Sequence, residues 1–170
     1  KLCFPNRLED IAVLAYVPHA WQAQYLLGCL YYDRMNYAAA RTAWEESARL
    51  NPDDAFTWRN LAQALYDHFG EKEEPRACLE KALHHAPENA RIVYELLQLY
   101  KNINMPVKDR LAFLEAHAAL ARQRDDCFLD MIVLYMQEGR FEKARELLLS
   151  KRFNIYEGGE GKLTRMHGWL

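Results

Sequence analysis

The feature that most constrains this sequence is a helical spacing of apolar residues that recurs in matching blocks. Within residues 21–52, apolar side chains of residues 27–31 form one helical face, and those of residues 37–48 form a second. Spacings of three and four residues are typical of amphipathic helices. Pro52 ends the second helix because it forces the preceding residue out of the helical conformation. The block therefore predicts a helix–turn–helix unit of roughly 34 residues, too small to bury its apolar faces alone.

The same pattern returns in three further blocks, so we expect internal repeats. In the third block, Leu111, Leu114 and Ala118 mark the apolar face of the second helix. In the fourth, Phe141 is expected to pack behind a turn at Gly139. The predicted organisation begins with an N-terminal helix over residues 1–19, interpreted as the remnant of a preceding repeat. Repeats over 20–52, 53–87, 88–124 and 125–153 and a Gly-rich tail over 154–170 follow.

Polar residues stand at the predicted starts of three first helices. Short polar side chains can cap the free N–H groups at such positions, and carboxylates complement the helix dipole. Capping therefore explains the acidic pairs before catalysis does. The residues concerned are Asp53, Asp54, Glu88, Asn89, Asp125 and Asp126.

The blocks resemble tetratricopeptide (TPR) repeats, whose pattern is W-x2-L-G-x2-Y, then A-x3-F-x2-A and a closing Pro. This resemblance implies an all-α fold, a right-handed TPR superhelical solenoid of about four helix–turn–helix repeats. An N-terminal helix and a short irregular C-terminal tail would flank the repeats. The third block departs from the pattern, with Leu97 at the small-residue position. The matching residues are Leu27, Gly28, Tyr31, Ala40, Trp44 and Pro52 in the first block and Trp58, Leu61, Ala62, Ala82 and Pro87 in the second.

A narrower resemblance is to the C-terminal TPR region of large bacterial proteins with an N-terminal domain of unknown function. It implies a preceding domain similar to galactose-mutarotase-like β-sandwiches, and hence a chain that is a fragment of a longer protein. The stretches that carry it include FPNRLEDIAVL, YLLGCLYYDRMNY, RNLAQALY, RQRDD and YEGGEGK.

Charge and composition disfavour several classes of function. The formal net charge of −2 leaves no basic excess to replace phosphate counterions, so no nucleic-acid partner is expected. No apolar run approaches the roughly 20 residues that a bilayer span requires, so no membrane partner is expected. The four cysteines are far apart and lack zinc-binding spacing, which favours reduced thiols in a cytoplasmic protein.

No catalytic constellation stands out. The six histidines form no HExxH motif, and His84 and His85 are expected to project from different faces of one helix. The sequence therefore predicts no catalytic residue, no metal and no cofactor.

The positions with the strongest functional signal lie on the first helices, which in a TPR array line a concave groove that binds peptides or partner helices. The groove of chaperone-binding TPR proteins is a poor match, because only Asn60 is the residue expected there and Glu95 has the wrong charge. The candidates are rich in Tyr, Arg, Asn and Gln, which suit hydrogen bonding and aromatic contact. They are Tyr25, Cys29, Tyr32, Arg59, Asn60, Gln63, Tyr66, Arg91, Tyr94 and Gln98.

The stretch EGGEGK at residues 157–162 looks like a phosphate-binding loop but fails the pattern G-x4-G-K-[ST]. The pattern needs glycine at position 156 and Ser or Thr at position 163, where Tyr156 and Leu163 stand. The glycines are instead expected to let the chain leave the repeats. Candidates for contact with another domain of the parent protein are Glu157, Glu160 and Lys162.

These patterns predict a non-enzymatic interaction module that binds a protein or peptide partner, or another domain of its parent chain, in the groove. The alternative, implied by the bacterial resemblance, is an accessory helical region of a larger carbohydrate-active protein. Because unpaired end repeats expose apolar faces, a homo-oligomer is a further expectation.

Overall fold

The computed structural model describes residues 4–154 and Gly168, and every regular element between residues 4 and 154 is an α-helix. The expected all-α fold is therefore confirmed for this part of the chain. No helix within it is both long and apolar enough to cross a membrane. The helices are α1 (Leu8–Ala15), α2 (Trp21–Asp33), α3 (Tyr37–Leu50), α4 (Ala55–Phe69), α5 (Glu73–His85), α6 (Ala90–Asn102), α7 (Val107–Ala116), α8 (Ala118–Gln123), α9 (Asp125–Gln137) and α10 (Phe141–Leu149).

The chain divides into two compact units, Lys1–Pro87 and Glu88–Leu170. In the first unit, α2 packs against α3, α4 packs against α5, and the α3–α4 contact joins the two pairs. In the second unit, α9 contacts α7, α8 and α10, and α6 packs against α8. Antiparallel helix pairs joined by short turns bury the apolar stripe of each helix against its neighbours.

A close approach between α2 and α3 explains the small residue at Gly28. A Cβ atom placed on Gly28 would lie 2.3 Å from Nε1 of Trp44, far inside contact distance. Trp44 is 2% exposed, and its Nε1 donates to the backbone carbonyl of Tyr25 at 3.1 Å. The indole therefore fills the space that a side chain at position 28 would need.

Helices α2, α6 and α9 end in the same type of turn. The residue after the helix cap has a left-handed backbone, with φ of 58° at Met35, 58° at Asn104 and 72° at Gly139. The next N–H in each case donates to the carbonyl five residues back, which is the 6→1 bond of a Schellman motif. These bonds are Asn36 to Tyr31 at 2.9 Å, Met105 to Tyr100 at 2.8 Å and Arg140 to Tyr135 at 2.9 Å.

The predicted caps are confirmed at two helices. The third, α9, has acidic residues in its first turn as expected but no side-chain cap. Asp54 accepts from the N–H of Thr57 at 2.8 Å, and Asn89 caps α6 in the same way. Asp125 begins α9 but makes no cap. Its carboxylate is 8% exposed and accepts from the N–H of Asn154 at 2.6 Å and from Nζ of Lys151. Asp125 therefore holds the segment that follows α10 against the start of α9.

The second helix of the third repeat is interrupted, contrary to the sequence expectation. It forms α7 and α8, separated at His117, whose Nδ1 lies 2.8 Å from the carbonyl oxygen of Phe113. A side chain that competes for this carbonyl, together with the non-helical backbone at His117, ends α7. Ala118 opens α8 and is exposed, whereas Leu111 and Leu114 are buried as predicted.

The expectation that Phe141 packs behind the turn at Gly139 is also wrong. Its side chain is 54% exposed at the start of α10. The reason is geometric: α10 is the last helix between residues 4 and 154, so no helix in that range follows to cover this position.

Candidate functional site

The predicted groove residues of the first unit meet at Asn60, where α4 faces α2. The side-chain amide of Asn60 donates to the hydroxyl of Tyr25 at 3.5 Å and to Sγ of Cys29 at 3.6 Å. All three side chains are half-buried. We refer to Tyr25, Cys29 and Asn60 as the Asn60 cluster. The bond to Tyr25 is long, since N–H···O bonds in proteins centre on about 2.9–3.0 Å. The bond to Cys29 goes to thiol sulfur, which is a weak acceptor.

Both acidic groups of the Asn60 cluster carry their protons at neutral pH. Burial, with the neighbouring Cys29 adding to it, raises the pKa of the Tyr25 hydroxyl to about 12. Burial also raises the pKa of the Cys29 thiol. Because the thiolate is the nucleophilic form of cysteine, Cys29 is a poor nucleophile and the cluster is suited to hydrogen bonding.

The remaining candidates on α4 surround the Asn60 cluster. Nη1 of Arg59 lies 3.4 Å from Oδ1 of Asn60, which orients the amide. Gln63 is exposed and Tyr66 is half-buried, both further along the same helix. This part of α4 therefore combines amide, guanidinium and phenol groups within a few turns.

A second group in this unit includes a residue that sequence reasoning had set aside. Nε2 of His68 lies 3.1 Å from the hydroxyl of Tyr32, and the imidazole stacks on the ring of Tyr37 with centroids 3.4 Å apart. His68 is exposed near the end of α4 and was not among the predicted groove residues. The sequence signal that could have identified His68 is its position on α4, about two helical turns after Asn60.

The candidates of the second unit, Arg91, Tyr94 and Gln98, each contact a charged side chain. Nε2 of Gln98 donates to Oδ2 of Asp130 at 3.0 Å, which links α6 to α9. The guanidinium of Arg124 lies 4.8 Å from the ring centroid of Tyr94, and it donates to Asp126 at 3.1 and 2.7 Å. Arg91, by contrast, pairs along its own helix, with Nε 2.9 Å from Oε1 of Glu95.

Sequence reasoning missed Asp130 and Arg124 on this face. Asp130 holds in the fourth repeat the position that Glu95 holds in the third and Asn60 in the second. Extending that register by one repeat would have selected it. No spacing rule would have selected Arg124, because its contact depends on how its long side chain turns back over Tyr94.

The structure therefore brings candidates into contact with one another in the first unit. In the second unit, each candidate instead contacts a residue outside the predicted set. Tyr25, Cys29 and Asn60 meet in the first, and Tyr32 meets His68 there. Among the described residues, no group of three or more His, Cys, Asp or Glu side chains could hold a metal ion. The domain-contact candidates Glu157, Glu160 and Lys162 lie outside the described residues.

The helix pairs and their turns are those of TPR solenoids, and solved structures confirm this fold class. The crystal structure of MamA matches with a TM-score of 0.68 over 94% of this chain and 85% of that chain, at 16% identity. PilF of Pseudomonas aeruginosa gives 0.67 over 95% and 79%, at 17% identity. YrrB, described as a TPR protein with an unusual peptide-binding site, gives 0.62 over 82% and 75%, at 20% identity. No protein-family model matches the sequence.

Proposed function

We propose that this chain is a non-enzymatic interaction scaffold that binds an extended peptide segment at the Asn60 cluster. The segment would come from a partner protein or from another domain of the same parent chain. The TPR fold and the peptide-binding site named for YrrB support this reading. The observation that carries the proposal is that Asn60 makes two weak hydrogen bonds, one long and one to thiol sulfur.

The Asn60 amide now donates to weak or distant acceptors. Thiol sulfur is a weak acceptor, and the Tyr25 hydroxyl is 3.5 Å away. A peptide carbonyl at an ordinary distance of about 2.9 Å would replace both bonds with a better one. Little is lost when the present bonds break, so the amide is prepared to exchange partners.

The second unit offers no such easy exchange. Opening the bond between Gln98 and Asp130, or separating Arg124 from Asp126, would break a charge-assisted pair. Charge-assisted hydrogen bonds are roughly twice as strong as neutral ones. The first unit is therefore the better centre for peptide binding, with Arg59 and Gln63 beside it.

A library of labelled extended peptides, each about ten residues long, tests the proposal by fluorescence anisotropy on the full chain. The Asn60→Ala variant should weaken binding of the selected peptides about five- to tenfold through the lost amide contact. The Asn102→Ala variant is the matched control, because Asn102 is an exposed amide at the end of α6. In the NMR spectrum, the side-chain amide signals of Asn60 should move on titration.

Equal affinities for the Asn60→Ala variant and the unchanged chain would contradict the proposal, provided that both give the same circular dichroism spectrum. Oligosaccharides that bind this face when peptides do not would favour the accessory carbohydrate role.

A further inference from the structure

The turn that leads into α10 has the same geometry as the turn that leads into α3. The left-handed residue is Met35 in one turn and Gly139 in the other, and the 6→1 bond measures 2.9 Å in both. Each helix then begins with an N–H that donates back to its cap carbonyl, at 3.0 Å in α3 and 3.1 Å in α10. Because the turns match bond for bond, the helices that follow start in the same register. Equivalent positions are therefore Tyr37 and Phe141, and Arg41 and Arg145.

In the first unit, the following helix covers this edge of α3. His68, at the end of α4, stacks on Tyr37 with centroids 3.4 Å apart and planes 9° apart. Just beyond α4, Glu71 accepts from Nη1 of Arg41 at 2.9 Å, and Glu74 lies 3.5 Å from Nη2. The edge of α3 is thus recognised by one ring followed by two carboxylates.

The edge of α10 presents the same two groups in an exposed state. Phe141 is 54% exposed and Arg145 is exposed on the next turn of the helix. The α10 edge, defined as Phe141 and Arg145, therefore has the ring and the cation of the α3 edge, and between residues 4 and 154 no helix follows α10 to cover them.

We propose that the α10 edge is a second docking surface, and that it binds an acidic amphipathic helix of another protein. The helix would carry an aromatic or imidazole ring near its C-terminal end, and this ring would stack on Phe141. The residues that follow the helix would supply two carboxylates that pair with Arg145. Charge complementarity and the α3 edge in this same chain define that chemistry. A second copy of this chain is a poor occupant, because its own matching segment, residues 68–74, already covers α3.

The probe is a fluorescein-labelled peptide with the sequence of residues 53–77, which contains α4, both carboxylates and the start of α5. It should bind the full chain, and binding should weaken as sodium chloride is raised, because exposed ion pairs are screened. Phe141→Ala and Arg145→Glu should each weaken binding about tenfold. A peptide with Glu71→Arg and Glu74→Arg should prefer the Arg145→Glu variant, which isolates the charge pairing.

Matched controls are Phe56→Ala, an exposed phenylalanine on α4, and Lys108→Glu, an exposed cation on α7. Neither should change the affinity. The α10 edge is also separable from the peptide site, since Asn60→Ala should leave binding of this probe unchanged.

Three results would overturn the proposal. One is the absence of binding at a probe concentration of about 1 mM, at which even a weak complex would form. Another is binding that is lost with Arg41→Glu but not with Arg145→Glu, which would mean that the probe displaces α4 from α3. The third is a concentration-dependent dimer in light scattering that Phe141→Ala abolishes, which would make a second copy the occupant.

Discussion

Replacing Met35 by glycine should stabilise the protein, although methionine at this position completes the turn between α2 and α3. Its φ of 58° is in the left-handed region, where a Cβ atom crowds the following carbonyl oxygen. The same turn is built with glycine at position 139 and with asparagine at position 104. The chain therefore contains its own reference set for this substitution.

The size of the effect follows from three opposing contributions. Relief of the left-handed strain is worth about 1–2 kcal/mol. The greater freedom of glycine in the unfolded chain costs about 0.5–1 kcal/mol. The Met35 side chain is 75% exposed, so its loss removes only about 0.5 kcal/mol of burial. Taken at the midpoints of these ranges, the net gain for Met35→Gly is about 0.3 kcal/mol.

Two further variants test whether strain at the left-handed residue causes the change in stability. Gly139→Ala has no heavy atom within 4 Å of the added Cβ atom, so no clash contributes. It should lose about 0.5–1 kcal/mol, the backbone strain less the freedom that alanine lacks in the unfolded chain. Asn104→Gly should change stability little, because asparagine tolerates the left-handed region.

Urea unfolding followed by circular dichroism measures these differences as shifts in the midpoint at constant slope. A midpoint for Met35→Gly below that of the unchanged chain would refute the reasoning. So would equal losses in Met35→Gly and Gly139→Ala, since the strain argument requires opposite signs.

Two further predictions concern the core and the tyrosines. Gly28→Ala should destabilise the first unit by about 1–3 kcal/mol, because the new Cβ atom must displace a buried indole. An unfolding midpoint, followed by fluorescence, that equals that of the unchanged chain would contradict the close approach of α2 and α3. Burial and the bond to Glu115 raise the pKa of Tyr135 to about 12, above the usual value of about 10. Its proton is therefore held more tightly in the folded chain, and this stabilisation is complete below pH about 10 and is lost as pH rises toward 12. Tyr135→Phe should reduce the loss of stability in that window and remove one late-titrating group from the absorbance at 295 nm.

The elements of the fold were predictable because each follows from local sequence. Gly28 and Trp44 mark a close helix pair, Gly139 marks a left-handed turn, and Asp54 and Asn89 mark helix starts. The interruption at His117 was not predictable, because it depends on one side chain reaching one carbonyl. The use of Asp125 by the exit segment was missed for the same reason.

The candidate site was less accessible to sequence reasoning. Helix register placed Tyr25 and Asn60 on facing helices, but nothing local gives the length of the bond between them. The contact of His68 with Tyr32 and Tyr37 joins residues more than a helix apart in sequence, so packing decides it. Peptide binding by these residues stays a prediction.

The carboxylate of Asp125 links the segment after α10 to the start of α9. It serves two segments at once, since it begins α9 and receives donors from Lys151 and Asn154. Pulling residues 150–154 away would leave a nearly buried charge without these donors, which costs more than the loss of an exposed ion pair. A force applied at Asn154 is therefore transmitted to the start of α9 through the carboxylate of Asp125.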